Sequence, residues 1–154
     1  MVPTPLPLGD RLLVTDSTNR TQLFAFGAGG RIRAEPLAKD EDLGPEVSTP
    51  VVVGDLVLGQ SGKLVCLEAA TLKTLWIQER EPALEPDCHL IASDDRLLAF
   101  NSEGDLVLLR FDRQGATVLG KRRLCKKTLM HPTLAGRRLL VRDNEFVYCY
   151  DLGE

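Results

Sequence analysis

The chain has 154 residues, 44% of them apolar and 27% charged, with a formal net charge of −3. That is the balance of one globular domain with a sizeable core, and it excludes a disordered or collagen-like chain. Apolar runs such as Val51–Val53 and Leu106–Leu109 fall far short of the ~20 residues a bilayer-spanning helix needs, and Met1-Val2-Pro3-Thr4-Pro5 reads as the approach to a strand rather than a leader.

In chain order, the first signal is a short apolar segment behind Pro5, then the turn Gly9-Asp10 and the strand Arg11 to Val14. The same sequence of events returns at Pro50, Val51–Val53, Gly54-Asp55 and Leu56 to Gly59. It returns again at Asp94-Asp95 with Arg96 to Ala99, and at Pro132, Gly136-Arg137 and Arg138 to Val141. Successive turn markers lie 45, 40 and 42 residues apart. Each marker is followed by a further apolar strand: Gln22 to Phe26, Leu64 to Leu67, Leu106 to Phe111, and Phe146 to Tyr150. The second repeat shows a fourth strand as well, Thr74 to Gln78. Apolar periodicity of 3.6 is absent over any useful length. Four short antiparallel strands every 40 to 45 residues predict an all-β fold, a β-propeller of four-stranded blades. The expected blades are 3–47, 48–87, 88–129 and an incomplete fourth at 130–154, about 3.5 blades or half a ring. The connections Ala38 to Val47 and Glu79 to Asp87 are expected to be loops on one common face, where a protein or small ligand would be met.

The four cysteines, 66, 88, 125 and 149, have no metal-ligand spacing. Cys66 and Cys149 fall at equivalent places in apolar strands and are expected to be buried thiols. Cys88 and Cys125 are expected between strands, and all four reduced. Phe24, Phe26, Phe111, Phe146, Tyr148 and Tyr150 alternate along third strands and are expected to form inter-sheet core. Residues 1–88 carry 8 basic and 13 acidic residues (−5), and residues 89–154 carry 11 and 9 (+2). The basic groups at Lys121–Arg123, Lys126-Lys127 and Arg137-Arg138 lack interleaved aromatics or a recognition helix, so a solvated strand face or blade edge is expected and no nucleic-acid partner.

The segment Ser48 to Val57 followed by Lys63 to Trp76 resembles the pyrroloquinoline-quinone-like (quinoprotein-type) propeller repeat. That family's docking motif runs Ala-x-Asp-x-x-Thr-Gly-Lys-x-x-Trp. Here its positions hold Cys66, Glu68, Thr71, Leu72, Lys73 and Trp76, with glutamate for the aspartate and leucine for the glycine. The third repeat keeps Asp112 and Gly115. His131 through Leu152 resembles a closing segment of such propellers. The resemblance implies that Trp76 docks blade against blade, and it implies a parent protein in the bacterial periplasm or envelope. It also implies one of two functions. The first is a non-catalytic scaffold or binding module without a cofactor. The alternative is part of a quinone- and calcium-dependent dehydrogenase, whose stacking tryptophan, ion cage and adjacent cysteine pair have no counterpart in this sequence.

Five residues before each turn marker stand Thr4, Thr49, His89 and His131. Repeat equivalence puts all four at the start of inner strands, ringing the mouth of a central channel. These are the candidate binding residues. Two histidines from neighbouring blades suit a metal or an anion, while short polar side chains also serve to satisfy strand ends. No carboxylate at matched spacing completes a metal site, and no catalytic residue is assigned. The last strand has no fourth partner, so Phe146, Val147, Tyr148, Cys149 and Tyr150 form a candidate association edge. The expected partner is a second copy of the chain or the other half of a propeller.

Overall fold

Antiparallel hairpins closed by two residues require positive φ in the turn, which glycine adopts without strain. The turns at Gly9, Gly54 and Gly136 have φ of 61°, 56° and 59°, and Asp94 takes the same place at 52°. The computed structural model, which describes residues 3–79, 81–84 and 87–153, builds four antiparallel sheets on these turns. Blade 1 comprises β1 (Leu6–Leu8), β2 (Arg11–Asp16), β3 (Arg20–Ala25) and β4 (Ala38–Asp40). Blade 2 comprises β5 (Val51–Val53), β6 (Leu56–Gln60), β7 (Leu64–Glu68) and β8 (Thr74–Gln78). Blade 3 comprises β9 (Cys88–Ser93), β10 (Arg96–Asn101), β11 (Asp105–Phe111) and β12 (Ala116–Arg123). Blade 4 has three strands, β13 (Thr133–Ala135), β14 (Arg138–Arg142) and β15 (Val147–Asp151). In every sheet the spatial order follows the chain, the simple meander of a propeller blade.

Register makes the repeat quantitative. Leu12, Val57, Leu97 and Leu139 are equivalent, each paired across to the third strand at Phe24, Leu67, Leu109 and Tyr150. The neighbouring set, Leu13, Leu58, Leu98 and Leu140, points to the opposite face because strand side chains alternate. A bulge recurs between third and fourth strands at one repeat position, Cys66/Leu67 in blade 2 and Leu108/Leu109 in blade 3.

Alternation leaves each blade with two apolar faces, and stacking blades buries them in pairs. Between blades 1 and 2 lie Leu13, Leu23, Val57, Val65 and Leu67, capped by Leu43 from the connecting segment. Between blades 2 and 3 lie Leu58, Leu64, Cys66, Leu90, Leu97, Val107 and Leu109. Between blades 3 and 4 lie Phe100, Leu124, Cys125, Leu139 and Val141. Each fully buried leucine contributes about 2 kcal/mol of transfer free energy, so the stack of blades holds itself together face by face.

Several details depart from the expectations. Ala38–Asp40 is the outer strand of blade 1 rather than loop, because it completes a four-stranded ladder on β3. Cys88 opens β9 rather than lying between strands, and its thiol is buried. Cys149 is exposed, although its equivalent Cys66 is fully buried. The reason is position: Cys66 points at blade 3, whereas Cys149 points off the end of blade 4, where no blade follows among the described residues. The aromatic positions divide in the same way. Phe111 is buried, Phe24, Tyr148 and Tyr150 are half-buried, and Phe26 and Phe146 are 41% and 58% exposed.

Candidate functional site

The four positions before the turn markers come together in two pairs. The Thr4 backbone N–H donates to the Thr49 hydroxyl at 2.9 Å, joining the approaches to β1 and β5. The rings of His89 and His131 lie 4.8 Å apart between centroids, tilted by 46°. They join β9 to the segment leading into β13, while β5 and β9 pack side by side. His89 is the second residue of its strand and buried, whereas Thr4 and His131 are exposed and Thr49 is half-buried.

Each imidazole is held by a backbone carbonyl. The Nε2 of His89 donates to the Leu129 carbonyl at 3.1 Å, and the Nδ1 of His131 donates to that of Pro132 at 2.7 Å. Carbonyl oxygens only accept, so these bonds fix which ring nitrogen carries the proton. His89 Nδ1 is then a bare acceptor, buried and without a hydrogen-bond partner. Burial pushes the His89 imidazole below its ordinary pKa, and His131 adds to that shift while the Leu129 bond opposes it. Beside the pair, Leu129 and Met130 line a concavity of about 410 Å³ together with Ser102, Glu103 and Thr128.

The two long connections meet at a second, more polar concavity. Gly44, Glu46 and Val47 from the first and Asp87 from the second share a cavity of about 320 Å³ with Arg20 and Ser48. It is the part of the expected loop face that the structure brings together.

Trp76 projects from β8 toward blade 3, where its indole N–H donates to the Asp112 carbonyl at 2.9 Å. Around it, Arg113 of blade 3 reaches back to Glu68 at 2.9 Å and to Asp55, and the Thr71 hydroxyl donates to Glu68 at 2.7 Å. The motif positions Glu68, Thr71 and Trp76 thus share one blade-to-blade contact. With its indole placed there, the sole tryptophan is not available to stack a quinone. Among the described residues no three His, Cys, Asp or Glu side chains are placed to share an ion.

One recurring group was not anticipated. Six residues after the second residue of each turn marker stand Asp16, Ser61, Asn101 and Asp143, at or just past the end of the second strand. Asp16 accepts from the N–H groups of Thr18 and Asn19, Asn101 from Asp105, and Asp143 from Glu145 and Phe146. These side chains shape the second hairpin of their blades. The fixed offset was the signal that could have found them. Asp143 also accepts from the Lys126 N–H and the Tyr148 hydroxyl, tying the linker to blade 4. Those bonds, the Phe146 and Glu145 amides foremost, hold its carboxyl down to about 2.

The candidate edge is solvent-facing. Val147 is 70% exposed, Leu140 is half-buried, and Cys149 and Phe146 are exposed, while Tyr148 and Tyr150 turn inward, the Tyr150 hydroxyl donating to the Leu124 carbonyl. The basic groups are exposed, Lys121–Arg123 on β12, Lys126-Lys127 in the linker after it and Arg137-Arg138 at the start of β14, and they are largely paired, Lys121 and Arg123 with Asp105 at 2.8 and 2.5 Å, and Lys126 with Glu145 at 2.6 Å.

No protein-family profile matches the sequence, and no curated protein does. Solved structures do match in shape. The crystal structure of BamB from Moraxella catarrhalis superposes with a TM-score of 0.61 at 15% identity, over 96% of this chain and 41% of that one. The computationally designed Ika8 protein superposes with a TM-score of 0.55 at 7% identity, over 88% of this chain and 53% of that one. The chain therefore spans about half the length of these structures or less. Identities this low speak for the fold, and with the meander blades they show an all-β, β-propeller-like architecture.

Proposed function

We propose that the chain is a non-catalytic β-propeller scaffold that works by presenting its open blade end to another protein chain. One observation carries this reading. Leu140, Val147 and Cys149 on blade 4 occupy the places that Leu58, Leu64 and Cys66 hold on blade 2, where all three are sealed against blade 3. An apolar sheet face built for stacking is here left uncovered, beside a strand whose outer edge has no partner among the described residues. The resemblance of the Ser48 to Trp76 repeat to the pyrroloquinoline-quinone-like family supports a scaffold of that kind, and an envelope location goes with it.

A second copy of the chain is the partner this reading names. At the opposite end, blade 1 turns Leu12, Val14 and Phe24 outward, the counterparts of residues buried in blades 2 and 3, so one copy's blade 1 complements another's blade 4. Light scattering across a concentration series should show a dimer. Proline at Val147 or Cys149 should abolish it, and so should Val147→Lys, which alters an exposed side chain without breaking the β14–β15 ladder. A monomer at all concentrations, or a dimer indifferent to all three changes, overturns the reading.

A further inference from the structure

We propose that His89 and His131 form a two-imidazole site for a borderline transition-metal dication of the Zn²⁺ type, spanning blades 3 and 4. This goes beyond the scaffold reading and does not depend on association.

One nitrogen of each ring donates to a backbone carbonyl, His89 Nε2 to Leu129 and His131 Nδ1 to Pro132. The other nitrogen of each ring is then a bare lone pair. Histidines that bind metals are held in this way, the second nitrogen anchored on a carbonyl or carboxylate so that tautomer and ring orientation are set in advance. On His89 the remaining nitrogen is buried and has no partner, in a residue 6% exposed. A buried acceptor left without a donor is destabilising. Coordination would turn that cost into a bond.

The spacing fits. With metal–nitrogen distances of about 2.0–2.1 Å, two imidazoles on one ion place their centroids about 4.5 to 5.2 Å apart, for angles between a right angle and the tetrahedral value. The observed separation is 4.8 Å. Both donors are imidazole nitrogens, which suit zinc, copper and nickel rather than calcium or magnesium, whose ligands are oxygens. Exposed His131 gives the ion its route from solvent. Two protein ligands leave further positions to water, so the ion would be exchangeable and its affinity modest. Its place is specific nonetheless, because it would pin β9 to the segment that starts blade 4.

The test is a Zn²⁺ titration of the tag-free chain by calorimetry and thermal melting. Expected are one ion per chain and a melting temperature that climbs with ion concentration, as binding to the folded state alone requires. His131→Gln, at an exposed position, should weaken binding at least tenfold and flatten the thermal response. Cys149→Ser should leave both unchanged, since its thiol is the exposed rival ligand. In the unaltered chain, Zn²⁺ should move the ¹⁵N resonances of both imidazoles, a readout independent of any variant's folding. Absence of stoichiometric binding, a His131→Gln variant that binds as before, or loss of binding through Cys149→Ser instead would overturn the assignment.

Discussion

At the scale of single residues, repeat position determines environment more strongly than residue type does. Cys66 and Cys149 are the same residue at the same register, yet burial pushes the Cys66 thiol up to about 11 while Cys149 stands in solvent. A thiol reagent at neutral pH should therefore modify Cys149 at once and leave Cys66 and Cys88 untouched in the folded chain. Equal labelling of all three would contradict the burial. Cys88 is raised to about 12, burial first and Asp87 second. Its unfolded value is near 9.0, so the stability it supplies is whole below pH 9 and is lost as pH rises toward 12. Asp143 works in the opposite direction. Its carboxyl drops from 3.8 to about 2, so its contribution is present above pH 4 and disappears as the solution is acidified through 2. Acid melts should show this limb, and Asp143→Asn should remove it. Neither environment was legible from the sequence. The equivalence of the two cysteines was visible, but which sheet face lacks a neighbour emerges from the stacking order, and the Asx-type turns hide in an offset rather than a motif.

Among the elements, hairpins and docking contacts are marked in the sequence to unequal degrees. The strands of blade 2 were legible almost residue for residue, because Gly54-Asp55 and Ser61-Gly62 punctuate uninterrupted apolar runs. β4 was missed, since Ala38–Asp40 is only three residues with a lysine in the middle and declares itself only by pairing with β3. Gly104 shows how tightly a junction can be drawn. It sits at φ 91°, and a β-carbon there would press into the carbonyls of Cys125 and Lys126, while its own carbonyl accepts from Leu124. Gly104→Ala should cost about 3 kcal/mol or more, read by denaturant unfolding. Trp76→Ala should cost about 2 kcal/mol, for a half-buried ring that also loses its bond to Asp112. Trp76→Phe should recover the packing part, and equal loss from both would assign the whole effect to the hydrogen bond.

For the whole molecule, the succession of four-stranded antiparallel blades followed from spacing alone, because a period near 42 residues with four strand signals admits few other architectures. The pairing of His89 with His131 was legible as a register coincidence, but the anchoring carbonyls of Leu129 and Pro132 were not, since backbone orientation in irregular segments leaves no mark in side-chain pattern. The three interblade junctions are not equal. Among the described residues twelve buried apolar side chains seal blades 2 and 3, eight seal blades 1 and 2, and five seal blades 3 and 4. In a stack where each repeat touches only its neighbours, stability is a sum of such junctions. Native-state hydrogen exchange should release β13–β15 first and β6, β7, β10 and β11 last, and uniform exchange across all four blades would count against the ranking.

The weakest junction is also the one beside the uncovered sheet face. Blade 4 is held on one side by a thin core and on the other by nothing among the described residues, so its local opening requires little work. Whatever settles on that face adds its binding free energy to the most thinly packed blade of the stack rather than to its best-sealed part. Recognition at this end and the resistance of the last three strands to opening are then linked, since a partner that binds only the closed blade raises the free energy of its local unfolding.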